Sequence, residues 1–268
     1  MKRLKYSIFL ILSVFMTLTS CKKSKQLKPD EVPVPPPTET HQYIPVKFES
    51  ADFTLNLKYK ENTALLEEIT DTDDNKTIIT YTTAQHLYKI EKYENGDLFY
   101  VVYYELGDKK VISKALMFDY KDLVHSYIPR GFYTITYNEQ RKANVFNYYN
   151  NNNSLIRTEA LLYNGSFNLS EIKTIEHPGT TIITNYTFDQ QKGIGSNITN
   201  SELLASELEY WFFLCTNNNF LTTVNQESPK ENISFKYEYN EHGYPSNAQF
   251  TSNNNTQNIK ITYKRLSP

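Results

Sequence analysis

The sequence predicts an all-β fold: an antiparallel β-meander, as a curved sheet or a sandwich, with one inserted α-helix. Three observations predict it. The chain repeats a loose unit in which an alternating strand ends in Tyr or Phe, a turn of Asn, Asp, Glu or Gly follows, and a second strand returns. Its 22 Tyr and 15 Phe against one Trp suit strands, where a ring packs across a half-buried pleated surface. Only eight Gly serve the whole chain, so Asn takes over turn positions, because it tolerates the left-handed conformation better than most residues.

Residues 1–20 read as a secretory leader. Lys2, Arg3 and Lys5 form a basic n-region, and Ile8 to Met16 is an apolar run broken only by Ser13. That run falls short of the ~20 apolar residues that cross a bilayer. Leu18-Thr19-Ser20-Cys21 resembles a bacterial lipobox. The resemblance implies a diacylglyceryl thioether on Cys21, cleavage before it and acylation of the new amino terminus. The competing reading is an ordinary signal peptide with a chance Cys at its boundary. Two or more acyl chains hold a protein stably on a membrane, and no other segment approaches 18 consecutive apolar residues. By the lipoprotein sorting rule, Lys22 in place of Asp after the Cys implies the outer membrane. Surface export in Bacteroidetes lipoproteins goes with an acidic cluster just past the Cys. Lys22-Lys23-Ser24-Lys25 is the opposite, with acids only at Asp30-Glu31, which favours the periplasmic face.

Residues 21–46 comprise the lipidated Cys and a tether. Val32-Pro33-Val34-Pro35-Pro36-Pro37 favours extended polyproline II, a semi-rigid spacer of about 3.1 Å per residue. The β-rich domain is expected over 47–268. Its clearest unit runs Ile233-Ser234-Phe235-Lys236-Tyr237-Glu238-Tyr239, then Asn240-Glu241-His242-Gly243, then Tyr244 to Phe250. Ile233, Phe235, Tyr237 and Tyr239 share a face at spacing two. Weaker copies lie at Phe53 to Tyr59, Phe99 to Tyr103, Tyr133 to Tyr137 and Ile182 to Phe188, and Ile259 to Tyr263 closes the series. One segment breaks the pattern. Thr199 and Glu202 fit a capping box, and Leu204, Leu208, Trp211 or Phe212, and Cys215 recur near helical spacing, so a helix is predicted over 201–214, with Leu208 and Phe212 buried and Glu207 exposed, ended by Asn217-Asn218-Asn219.

The Tyr-x-Tyr-x-x-x-x-Gly-Tyr-Pro stretch at 237–245 resembles the YD-type units of uncharacterised Bacteroidetes lipoproteins. So do the interrupting aromatic segment, with Asn218-Asn219-Phe220-Leu221-Thr222 after it, and the closing strand. The resemblance covers the lipobox and the C-terminal third. It implies an all-β lipoprotein domain of unknown function and transfers no catalytic residue.

Three of the 28 basic residues and none of the 30 acids lie in the leader, which leaves the mature chain a formal charge of −5. That is no footprint for nucleic acid, which needs a concentrated basic face. With Cys21 lipidated, Cys215 has no partner for a disulfide, and its apolar neighbours Trp211 to Leu214 mark it as a buried, inert thiol. Asp71-Thr72-Asp73-Asp74-Asn75 begins like a calcium loop, but Lys76 stands where Gly is needed and Thr82 where a bidentate Glu is needed. It reads as a polar turn. His41, His86, His125, His177 and His242 show no metal spacing. Glu67 and Glu68 are adjacent, so in a strand they face opposite ways, whereas glycoside cleavage needs two carboxyl groups roughly 5 to 9 Å apart. Gly193-Ile194-Gly195-Ser196 lacks the frame of a dinucleotide loop or a hydrolase elbow.

No catalytic, cofactor or metal residue is therefore expected, and lipidated Cys21 is the single assigned site. The expectation is a lipid-anchored, non-catalytic envelope protein that binds or scaffolds, its partner an envelope protein or a glycan. The alternatives are a glycan-binding module, marked by an exposed planar row of Tyr, and a glycoside-cleaving enzyme, marked by a cleft with two facing carboxyl groups.

Overall fold

The computed structural model describes residues 41–108, 110–121, 125–229, 232–253 and 255–266. The leader, Cys21 and the tether up to residue 40 lie outside the described residues. Sixteen antiparallel strands follow one another around a closed barrel. They are β1 (Tyr43–Glu49), β2 (Thr54–Tyr59), β3 (Leu66–Thr70), β4 (Lys76–Tyr81), β5 (Leu87–Glu94), β6 (Asp97–Leu106), β7 (Ile112–Lys121) and β8 (Ser126–Tyr137), then β9 (Ala143–Asn150), β10 (Leu155–Tyr163), β11 (Leu169–Glu176), β12 (Thr180–Phe188), β13 (Phe220–Asn225), β14 (Ile233–Tyr239), β15 (Pro245–Ser252) and β16 (Asn255–Arg265). Every strand pairs with its sequence neighbours, and β1 with β16 closes the ring through pairs such as Phe48↔Ile261. The all-β antiparallel reading with one helix holds. The sheet goes further than a curved sheet or sandwich, because closure pairs the first strand with the last. The first strand begins at Tyr43, four residues before residue 47.

The Tyr at the strand ends has a physical reason. Tyr59, Tyr81, Tyr137 and Tyr163 each end an even-numbered strand at a β-bulge. Each phenol donates to a carbonyl on the preceding strand: Tyr59 to Pro45 (2.8 Å), Tyr81 to Leu66 (3.0 Å), Tyr137 to Ile112 (2.7 Å) and Tyr163 to Ala143 (2.7 Å). The turns that follow are set by a side-chain acceptor. Asn164 Oδ1 accepts the amides of Ser166 and Asn168, and Asn240 Oδ1 those of His242 and Tyr244. The left-handed position is filled by Gln85, Lys110, Arg141 or Phe167 as well as by Asn62 and Gly243. Asn thus serves these turns chiefly as an acceptor.

The predicted helix is shorter than its sequence pattern. The α-helix α1 covers Ser201–Leu208, and a separate 3₁₀ turn covers Trp211–Leu214. Left-handed Glu209 divides them. Asn200, itself left-handed, is the N-cap in place of Thr199, and no side chain caps the helix. Glu202 pairs instead with Lys142 on the β8–β9 turn. The segment between β12 and β13 is a plug. It enters from the end of the barrel where even-numbered strands turn into odd ones, called the base. Glu202 meets the base there, Glu207 meets Tyr100 and Lys92 of the wall, and Tyr210 lines a cleft with Asp71 of the β3–β4 turn at the opposite end, the tip. The return arm brings Cys215 back beside Gly193.

One hydrophobic core results. It joins Leu204, Leu208, Phe212 and Phe213 of the plug to inward residues of the wall, among them Phe48, Ile90, Val102, Tyr133, Phe146, Phe235 and Ile261. Phe48 stacks on Phe212 with ring centroids 4.2 Å apart, and Trp211 lies 5.0 Å from Phe235. Asn219 is fully buried and saturated. It donates to Asp189 Oδ2 (3.1 Å) and the Lys192 carbonyl (2.9 Å), and accepts from the Ile194 amide (2.9 Å).

Candidate functional site: an outer aromatic band on a plugged barrel

The lumen holds the chain's own plug, packed against inward residues of the wall in the core described above. At its centre Glu207 is only 6% exposed, although helical spacing had placed it on a solvent face. A helix inside a barrel has no solvent face. Tyr100 Oη donates to Glu207 Oε2 (3.3 Å), and Lys92 Nζ donates to the Glu207 carbonyl (2.5 Å). Burial pushes the Glu207 carboxyl above the ordinary carboxylate range, against the opposing pull of Lys92, Tyr133, Tyr100 and Arg130. On the inner face of β10, Glu159 accepts from Tyr148 Oη (3.1 Å) and pairs with Arg157 (3.3 Å). Its carboxyl is also raised by burial. Both carboxyls are committed to the wall and plug, and both influence Tyr148. The cleft at the base, lined by Lys110, Arg141, Lys142 and Glu202 among others, has a volume of about 480 Å³. Its one acid is paired with Lys142.

The sequence-level candidates fall into structural roles. Cys215 is fully buried, and burial pushes its thiol pKa far up. Asp71 does open a turn: its Oδ1 accepts the amides of Asp73 and Asn75, both at 2.9 Å. His242 stacks on Tyr43 at 4.4 Å and lies 2.8 Å from its hydroxyl. Among the described residues no three His, Cys, Asp or Glu side chains gather as a metal cluster. Gly193 and Gly195, given no role by the sequence, let the two arms of the plug touch. A Cβ on Gly193 would stand 2.3 Å from the Cys215 carbonyl oxygen.

The outer wall divides into two sectors. On β14, β15, β16, β1 and β2 the outward residues are polar, including Lys236, Glu238, Asn247, Lys260, Glu49 and Lys58. Lys on a lipid-facing barrel wall costs about 2–4 kcal/mol at mid-membrane, and β2, β1 and β14, of six, seven and seven residues, fall below the roughly 9–11 that span one. This sector is built for water. Among the described residues no helix is long and apolar enough to cross a membrane.

From β5 to β10 the outer wall changes character. The register runs Lys89↔Tyr103↔Leu116↔Phe132↔Tyr149↔Leu155, and alternation turns this row outward, since Tyr104, Ala115, Tyr133 and Tyr148 are buried inward. Phe118, Tyr120 and Tyr127 extend it, Tyr127 being 47% exposed. Val101, which also faces outward, is fully covered, with Phe118 as its cross-strand neighbour. Tyr103 meets Phe118 at 6.0 Å and 79°, Phe118 meets Tyr127 at 6.2 Å and 79°, and Phe132 stacks on Tyr149 at 4.7 Å and 12°. The row is half-buried along most of its length, exposed at Tyr127 and Leu155, and not planar, since edge-to-face pairs alternate with a stacked one. Its charges are internally matched. Lys89 pairs with Glu91 at 2.9 Å, and Lys114 lies over the Phe132 ring at 4.5 Å and 4.0 Å from Glu105. Such a surface can stack rings and offer hydrogen bonds without attracting net charge. Strand alternation in the sequence does not reveal this band, because it does not say which of the two faces a ring lies on.

No family model and no curated protein matches the chain. Among solved structures, a porin-like protein from Bacteroides uniformis is similar over 85% of this chain and 99% of its own, with 13% identity and a TM-score of 0.56. A porin-like protein from Bacteroides vulgatus is similar over 82% of this chain and 99% of its own, with 11% identity and a TM-score of 0.39. The first of these likenesses shows a shared fold.

Proposed function

We propose that this chain is a non-catalytic binding protein of the cell envelope, anchored by lipid on Cys21 to the outer membrane with its barrel on the periplasmic side, and that it holds a neutral glycan along the β5–β10 band. The aromatic band carries the reading. Sugar rings present C–H faces that stack on Tyr and Phe, and a charge-matched surface favours a neutral, polyhydroxylated chain over an anionic partner. The lipobox at Cys21 supports the anchor, and the basic residues after it support the periplasmic side. The described wall and plug argue against conduction: the lumen is packed and one outer sector is charged. The resemblance to YD-type lipoproteins rests on the lipobox, the 237–245 motif, the aromatic segment followed by Asn218 to Thr222, and the closing strand Ile259 to Tyr263.

The test is retention against turnover. The purified full chain is incubated with a panel of neutral bacterial and plant polysaccharides. Retention without release of reducing sugar is expected. Release that disappears in Glu159→Gln or Glu207→Gln would make the luminal carboxyls catalytic and overturn the reading. Retention of an envelope protein with no glycan bound would leave a scaffold.

A further inference from the structure

A second site stands at the tip of the barrel, independent of the outer band. The end of the plug and the tip turns enclose a cleft of about 340 Å³, within the size range of small-molecule sites. Aromatic side chains dominate it: Phe48, Phe53, Tyr210, Trp211 and Phe250. Asp71 is the one charged residue lining it. Its carboxylate is fixed in place by the amides of Asp73 and Asn75 on Oδ1 and by Asn75 Nδ2 on Oδ2 (3.0 Å). Among the described residues no Lys or Arg forms an ion pair with it. The two lysines of the adjoining cleft that shares Asp71 and Tyr210 are already engaged, Lys92 with the Glu207 carbonyl and Lys76 over the Tyr93 ring at 5.1 Å. The carboxylate lies close enough to the Tyr210 phenol to help raise its pKa, after burial.

Aromatic faces carry negative potential and attract cations, most strongly where water is excluded. A fixed carboxylate beside several ring faces, with no base lining the cleft, selects positive charge on an apolar body. We propose that the tip cleft binds a small organic cation, an amine or quaternary ammonium carrying an apolar group, with Asp71 facing the charge and Phe53, Tyr210 and Trp211 facing the body.

The chain holds one Trp, and it lines this cleft, so its fluorescence reports on the site directly. The full chain is titrated with phenylethyltrimethylammonium, with 3-phenylpropan-1-ol and with 3-phenylpropionate. Saturable change in Trp211 emission is expected for the cation, at least about tenfold weaker binding for the anion, and intermediate binding for the alcohol. Asp71→Asn keeps the Oδ1 acceptor of the turn and should weaken the cation about tenfold while leaving the alcohol unchanged. Phe53→Leu keeps apolar bulk, removes a ring face, and should weaken the cation in a chain with an unchanged melting temperature. Equal response to all three probes, an Asp71→Asn chain that binds the cation normally, or no saturable change with the cation up to about 10 mM would each overturn the proposal.

Discussion

Asp189 and Asn219 join the two ends of the plug. The Asp189 carboxylate accepts the Asn219 amide at 3.0 Å and its Nδ2 at 3.1 Å, while Asn219 Oδ1 accepts the Ile194 amide inside the core. Removing the Asn219 side chain leaves that buried amide and the Lys192 carbonyl short of partners, at about 1–3 kcal/mol for each unsatisfied group. Asn219→Ala should therefore lower stability by several kcal/mol in a denaturant titration. A loss below about 0.5 kcal/mol, the range of an ordinary surface substitution, would show that the plug does not depend on this junction.

Phe212 sits against Phe48 in the centre of the barrel. Phe212→Ala should cost about 3–5 kcal/mol, as for other buried Phe truncations. Glu207→Ala should also destabilise, because it removes the Tyr100 partner inside the core, whereas a solvent-facing Glu would tolerate the change. Equal, negligible effects from both would place the plug outside the lumen.

The raised Glu207 carboxyl gives a pH dependence of known sign. Folded protein holds this proton to higher pH than unfolded chain, whose reference value is 4.5. The contribution is present below 4.5 and is lost as pH rises through the folded value. Glu159 acts in the same direction, so the variant must be compared with the parent. Glu207→Gln should flatten the decline in stability above pH 4.5, measured as melting temperature against pH. A slope unchanged by the substitution would mean that Glu207 titrates normally in the folded chain.

Much of the wall was legible because strand period and turn chemistry are local. Phe235 is buried as its alternation requires, and Gly243 takes the positive φ of its turn. The reason for Tyr at strand ends was not legible, since the carbonyl that Tyr137 meets belongs to Ile112, at the start of the previous strand. That burial pushes the Tyr137 phenol up to about 12. Closure was hidden for the same reason: Phe48 and Ile261 meet only in the folded ring. Glu207 was misplaced because periodicity gives a helix two faces and cannot say that both are enclosed. The aromatic band escaped because Tyr103 and Tyr104 alternate, and a sequence does not say how many rings an outer face keeps.

The barrel begins at Tyr43, and Ile44 is 1% exposed. A chain starting at His41 should keep the melting temperature of the full chain nearly unchanged. A chain starting at Pro45 should lose several degrees through loss of one buried Ile and of the first ladder pairs with β16. A large drop in the first chain would show that residues 1–40 pack on the barrel.

The central claim is that the outer band, and not the lumen, meets the ligand. Affinity electrophoresis through gels containing each polysaccharide retained by the parent chain tests it most directly, with Tyr103→Ala, Phe132→Ala and their double variant beside Lys236→Ala on the polar sector. The account predicts that each ring removed weakens retardation by about 1–3 kcal/mol, the range seen for stacked rings in other systems, and that Lys236→Ala migrates like the parent. Retardation that survives the double variant, or that is lost in Lys236→Ala, would contradict it.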